Sequence, residues 1–243
     1  MYSISEFTAR PTVDADYLLK NYSNNLDCIE VLVREVISSP GENDYIKFEI
    51  RDLEIISETR EYHGTRINLT GNIRKTKTPF SIDFGVGDII IPAAVERTLP
   101  VILAEFEKPK ILTYSLESTV AEKLDAIISL MEATGRMKDF YDIYYLATAF
   151  DFDGRKLQEA IYETLSNRGT PYEKDSITAI SRLLKDAEIQ KRWNKFCKKI
   201  LKYELNFRDV VKVIINFVLP PYQSMIYEEE FFKNWICKDR KYE

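Results

Sequence analysis

"YIKFEIRDLEI", residues 45–55, changes the rhythm of the chain. Ile46, Phe48 and Ile50 alternate with Lys47, Glu49 and Arg51, the two-residue period of a strand with one dry and one wet face. Upstream, "LDCIEVLVREVIS" (26–38) sets Leu26, Ile29, Leu32, Val33, Val36 and Ile37 on one side of a helix. Downstream, "GTRINLTGNI" (64–73) follows the turn-like "EYHGT", and "PFSIDFGVGDIIIP" (79–92) alternates Phe80, Ile82 and Phe84 with Ser81 and Asp83 before a glycine-containing turn. The pattern predicts a helix followed by an antiparallel meander, with "RPTVDADYLL" (10–19) adding a strand at its start. From about Thr113 the period turns helical. "SLESTVAEKLDAIISLM" (115–131) aligns Leu116, Val120, Leu124, Ile127, Ile128 and Met131, and "KDFYDIYYLATAF" (138–150) aligns Phe140, Ile143, Tyr144 and Ala147. Further helices are expected near 154–166, 175–187 and 188–203. The expected class is α+β: residues 1–112 as a small α/β domain with a mixed or antiparallel sheet, joined through "FEKPKILTYS" (106–115) to a helical domain of residues 113–243.

A chain of 243 residues accommodates two such domains. Its 45% hydrophobic and 30% charged content is that of a soluble globular protein rather than a disordered one. The apolar run "VVKVIINFVLPP" (210–221) is interrupted by Lys212 and Asn216 and stops at Pro220-Pro221, short of the ~20 residues that span a bilayer. The N-terminus lacks the basic-then-apolar pattern of a signal peptide, so the expected location is the cytoplasm, away from membranes. Cys28, Cys197 and Cys237 are too dispersed for a disulfide framework or a zinc clamp. The net charge of -5 argues against a general polyanion binder. Locally, however, Lys185, Lys191, Arg192, Lys195, Lys198, Lys199 and Lys202 face only Asp186, Glu188 and Glu204, around an apolar stripe of Ile189, Trp193, Phe196, Cys197 and Ile200. That helix face is either solvated or in contact with RNA. His63, the single histidine, falls in an expected turn, and the "DFG" at 83–85 has no H-R-D loop upstream.

Two groups of residues carry chemistry. Residues two apart on a strand share a face, so Asp14 and Asp16 would hold their carboxylates side by side. Asp83, between core-facing Ile82 and Phe84, would point to the polar face of its own strand. Three such acids on adjacent strands suit Mg²⁺ and phosphoryl or nucleotidyl transfer; they also suit ordinary edge positions. In the helical half, Lys123 flanks an apolar stripe, while Lys138, Asp139 and Asp142 share a face opposite Phe140 and Ile143. That face would meet water or the other domain.

"RPTVDADYLL", "SIDFGVGDIIIP", "AEKLDAI" and "GRMKDFYDIYYLA", in this order, resemble the AbiEii/AbiGii abortive-infection nucleotidyltransferases of the DNA polymerase β-like superfamily. The likeness covers about residues 1–165. Its most specific motif is R-x-K-D-x-x-D, met by Arg136, Lys138, Asp139 and Asp142; R-x-T-x-D-x-D, met by Arg10, Thr12, Asp14 and Asp16, is next. The resemblance implies a minimal nucleotidyltransferase fold with a helical C-terminal domain. It implies a toxin of a type IV toxin–antitoxin pair, paired in its operon with an antitoxin that need not touch it, and adding nucleotides from an NTP to an RNA acceptor, the tRNA 3′ end. It assigns Asp14 and Asp16 to Mg²⁺ and triphosphate and Asp83 to metal or to the hydroxyl proton. It sets Lys123 against phosphate and lets Asp142 complete the catalytic set. Arg10, Thr12, Arg136, Lys138 and Asp139 join Lys123 in holding nucleotide. The chain departs from the family pattern in two places. The family opens on a strand and a Gly-Gly or Gly-Ser turn, whereas no Gly precedes Asp14 here and "MYSISEFTA" reads as the helix after that turn, so the expectation is a chain without that opening; and Ser81 stands where many relatives carry Lys. A shortened or inactive relative that only binds nucleotide or a partner, or a transferase acting on a protein or small-molecule hydroxyl, are the competing readings.

Overall fold

The structure is a computed structural model describing residues 10–12, 14–23, 25–39, 45–56 and 64–243, with only the backbone of Asp14. The segment expected as an N-terminal helix and the turn with His63 lie outside the described residues. The chain forms two compact units, Pro11–Asp88 and a second that joins Arg10 to Ile89–Glu243.

The Pro11–Asp88 unit is an α/β layer. Strands β1 (Asp14–Leu18), β2 (Lys47–Ile56), β3 (Gly64–Ile73) and β4 (Thr76–Gly85) form one sheet in the order β1-β4-β3-β2. The β2-β3-β4 meander is antiparallel as the alternation implies, and β1 lies parallel to β4. Helix α1 (Leu26–Ser38) begins at Asn25, whose side chain accepts a hydrogen bond from the Asp27 N–H, satisfying one of the amides left open at a helix start. Its Ile29 and Val33 pack against Ile67, Leu69 and Phe84 of the sheet. Burial of each such side chain stabilises by about 1.5–3 kcal/mol. The alternation in β2 slips once, at a bulge between Ile50 and Asp52. The extra residue keeps both Ile50 and Leu53 on the core side, because a one-residue shift would otherwise turn the second half of the strand over.

The second unit is mainly helical. After a two-stranded ribbon, β5 (Val95–Thr98) with β6 (Lys110–Thr113), come α2 (Leu116–Leu130), α3 (Met137–Ala149), α4 (Gly154–Asn167), the short α5 (Ser176–Ala179), α6 (Ala187–Phe196) and α7 (Phe207–Ile226). Short strands β7 (Phe152–Asp153), β8 (Asn234–Ile236) and β9 (Lys241–Tyr242) form a third sheet. Ser115 caps α2 by accepting from the Ser118 N–H while its own hydroxyl donates to the Ile91 carbonyl. Phe140, Trp193, Phe217, Tyr222 and Trp235 anchor a continuous core. Gly154 lets α4 start against the C-terminal segment: a Cβ there would meet the Lys233 carbonyl at 2.2 Å.

The apolar run 210–221 lies within a longer helix. Helix α7 runs through Pro220 and Pro221 to Ile226. Pro221 has no N–H for the Phe217 carbonyl four residues earlier, and the Tyr242 hydroxyl donates to that oxygen instead at 2.6 Å. No helix of the described residues is long and apolar enough to cross a membrane.

Candidate functional site

Strand pairing decides which residues of the Pro11–Asp88 unit share a face. Parallel pairing of β1 with β4 sets Asp16 beside Asp83 and the backbone of Asp14 beside Ser81. Antiparallel pairing of β4 with β3 sets Arg66 on the other side of Asp83, and β2 adds Glu54 beside Arg66. Asp16, Asp83, Arg66 and Glu54 therefore form one row across four strands, on the face opposite the one that buries Ile67 and Phe84. The Arg66 Nε and Nη2 donate to the two Asp83 carboxylate oxygens, each at 2.7 Å. Such a two-point fork fixes orientation as well as charge. Asp16 is exposed and has no ion pair among the described residues.

The second unit gathers the other group. The Arg10 Nε and Nη2 donate to the Asp142 Oδ1 and Oδ2 at 2.8 and 2.7 Å. The Lys123 Nζ, from α2, lies 2.8 Å from the Asp142 Oδ2 and 3.2 Å from the Asp139 Oδ1. The Arg136 Nε lies 2.7 Å from the Asp139 Oδ2, but that oxygen has no aligned donor, so the contact is charge attraction rather than a hydrogen bond. Asp139 and Asp142 are both 0% exposed. This corrects the expectation that their helix face meets water or another domain: Lys123 and Arg10 cover it from within the same compact unit. The reason is energetic, since two buried carboxylates are tolerated only when cations accompany them.

Charge balance controls protonation here. Burial pushes the Asp142 pKa upward, but Lys123 and Arg10 together outweigh it and hold the carboxyl below its ordinary value. For Lys123, burial favours the neutral amine, yet Asp142 and Asp139 reverse that and raise its pKa. Arg10 is also raised, burial again being overcome by Asp142. Three cations surround two carboxylates. Lys138, between Arg136 and Asp139 in the motif, is half-buried and makes no ion pair among the described residues. Thr12 is exposed and belongs to the Pro11–Asp88 unit.

The chain matches the family model "Nucleotidyl transferase AbiEii toxin, Type IV TA system" over residues 3–213. It belongs to the AbiEii family. It is thus a nucleotidyltransferase of a type IV toxin–antitoxin system, and an antitoxin and a nucleotide substrate go with that membership. No curated protein matches the chain. Among solved structures it is similar to a candidate nucleotidyltransferase from H. pylori (11% identity, 93% of this chain and 85% of the other, TM-score 0.47). A second likeness is JHP933 from Helicobacter pylori (12% identity, 90% and 77% coverage, TM-score 0.39). Family membership rests on the family model alone.

Two features of this AbiEii-family chain escape a motif reading. Arg66 lies outside every motif, although the register counted outward from the Arg74–Lys75 turn pairs it with Asp83. The other is a buried pin at Asp125 of α2. Asp125, 0% exposed, is met by the Arg168 Nη1 at 3.0 Å, by the Thr170 hydroxyl and by the Ser129 hydroxyl at 3.4 Å. Gly169, at φ +60°, makes the turn after α4 that delivers Thr170 to Asp125. A left-handed residue at that position is what closes a helix with paired backbone bonds, here Gly169 N–H to Ser166 and Thr170 N–H to Leu165. Among the described residues no three His, Cys, Asp or Glu side chains gather as a metal site; the expected triad includes Asp14, whose side chain is outside them.

Proposed function

We propose that this AbiEii-family toxin is a Mg²⁺-dependent transferase that adds nucleotides from an NTP to an RNA hydroxyl, the 3′ end of tRNA. The observation that carries the reading is the row Asp16, Asp83 and Arg66, with Asp16 and Asp83 adjacent in parallel register on an open polar face. The donor set fits a hard cation: two carboxylates side by side, one of them exposed without an ion-pair partner. Asp14, Asp16 and Asp83 would hold the Mg²⁺, which supplies charge neutralisation of the triphosphate when bound.

The chain's own residues do the remaining work. In the transfer, the acceptor hydroxyl oxygen bonds to the α-phosphorus, the bond from that phosphorus to pyrophosphate breaks, and the hydroxyl gives up its proton. Asp83 is held by Arg66 through one lone pair on each oxygen, which leaves the others for metal or for that proton. Asp142, Lys123, Arg10, Asp139 and Arg136 form a pre-paired array with one cation in excess, suited to phosphate charge. Lys138 and Thr12 are the remaining nucleotide contacts in this reading.

The experiment is incubation of the full-length protein with each alpha-labelled NTP, Mg²⁺ and total RNA, with Asp16→Ala and Asp83→Ala as controls. Label on tRNA that vanishes in both variants is the expected result. Label only on protein or on a small molecule would move the acceptor elsewhere, and absence of label under all four NTPs would make the chain a silent binding relative.

A further inference from the structure

Along α6 and the turn after it, Ile189, Trp193 and Cys197 of the apolar stripe are buried in the core of the helical unit, Phe196 packs against that core, and Ile200 is 37% exposed. Every lysine of the segment, Lys191, Lys195, Lys198, Lys199 and Lys202, is exposed. Lys191 lies 3.8 Å from Glu188; the other four have no ion-pair partner among the described residues. In a chain of net charge -5, four uncompensated cations on one short segment are a local exception.

The backbone there is unusual too. Residues Cys197–Leu201 form a wide π turn, closed by the Lys202 N–H on the Cys197 carbonyl at 2.8 Å. Such turns recur at functional positions. The π turn is followed by Tyr203, 52% exposed, whose hydroxyl lies 3.1 Å from that of Tyr141. Tyr141 directly precedes Asp142 on α3. At the other end of the segment, Arg192 donates to the Thr134 carbonyl at 2.7 Å, two residues before Arg136. The lysine segment is thus tied at one end to the helix that carries Asp139 and Asp142 and at the other to the turn just before that helix.

We infer that this rim, with Lys195, Lys199 and Lys202 taking phosphates and Tyr203 taking a base, holds the single-stranded end of the acceptor RNA. The inference rests on the reading of RNA as acceptor. Charge alone would suit any polyanion. An exposed aromatic ring among unpaired lysines is the combination that single-stranded nucleic acid uses, phosphate to cation and base to ring.

The test measures binding of a short single-stranded RNA with a free 3′ hydroxyl by fluorescence anisotropy. It compares wild type, Lys195→Glu/Lys199→Glu/Lys202→Glu, and Tyr203→Ala. The triple variant should bind at least tenfold more weakly, and the slope of log affinity on log salt should fall by about 2, since each phosphate contact contributes about 0.7 for single strands. Tyr203→Ala should lose roughly tenfold through stacking, while Tyr203→Phe keeps it. The KM for NTP should not move in any of them. Wild type that labels and binds RNA while the triple variant does so equally well overturns the rim and leaves the acceptor reading standing; wild type that binds no RNA removes both. Phosphatidylserine vesicles that retain wild type but not the triple variant, with RNA binding unchanged, would assign the rim to lipid and overturn the inference.

Discussion

Arg66 grips both carboxylate oxygens of Asp83 from the neighbouring strand, each at 2.7 Å. The pair is partly exposed, at 34% and 15% of the side chains, so its stabilising contribution is small in water. In the proposed reaction its value would lie in orientation: a carboxylate held by a two-point fork would present the same lone pairs at every turnover.

Arg66→Lys keeps the charge and loses the fork. It should lower kcat by about tenfold or more, as misplacement at a reacting centre does, with little change in KM for NTP and a melting temperature close to wild type. Steady-state labelling across NTP concentrations reads both constants. An unchanged kcat would show that the pair is ornamental to the reaction.

Asp16 is the clean probe of the acidic row, because it is exposed and unpaired among the described residues. Asp16→Ala should abolish transfer and relieve growth inhibition while thermal unfolding stays within about 0.5 kcal/mol of wild type. Full toxicity in this variant would remove the acidic row from the mechanism.

The Asp142 group behaves differently, since removing one partner strands buried charge. Lys123→Met leaves Asp139 with Arg136 as its remaining ion-pair contact among the described residues and Arg10 farther off, and should cost about 3–5 kcal/mol, measured by urea unfolding. Activity lost in Lys123 or Asp142 variants therefore has to be compared with stability before it is read as chemistry.

The same group sets a pH window. The Asp142 pKa is lowered in the folded state, so its contribution is complete above the unfolded value of about 3.9 and is lost as pH falls through the folded one. The Lys123 pKa is raised, so its contribution is complete below about 10.4 and is lost as pH rises through the folded value. Melting temperature against pH should show Asp142→Asn less sensitive to acid than wild type below about pH 4. Parallel curves would deny that Asp142 is charged and paired in the fold.

Most of the architecture was legible because it rests on period. Alternation in 46–50 and 80–84 identified strands, and the shift to helical spacing after Thr113 identified the second half. The parallel placement of β1 was not legible, since strand order depends on which edges meet rather than on local pattern. Burial of Asp139 and Asp142 was hidden for a related reason: a helical wheel shows them opposite Phe140, but cannot show that Arg10, more than a hundred positions away, covers that side. Nothing local showed that a helix would pass through Pro220 and Pro221, because the donor missing at Pro221 is replaced by Tyr242, far along the chain. Arg66 could have been found from the hairpin register, once the Arg74–Lys75 turn was placed.

The most direct measurement is transfer of alpha-labelled nucleotide to total RNA by wild type and by Asp16→Ala at equal folded concentration. The account predicts labelled tRNA from wild type, dependent on added Mg²⁺, and none from Asp16→Ala. Equal labelling by the two proteins would contradict it.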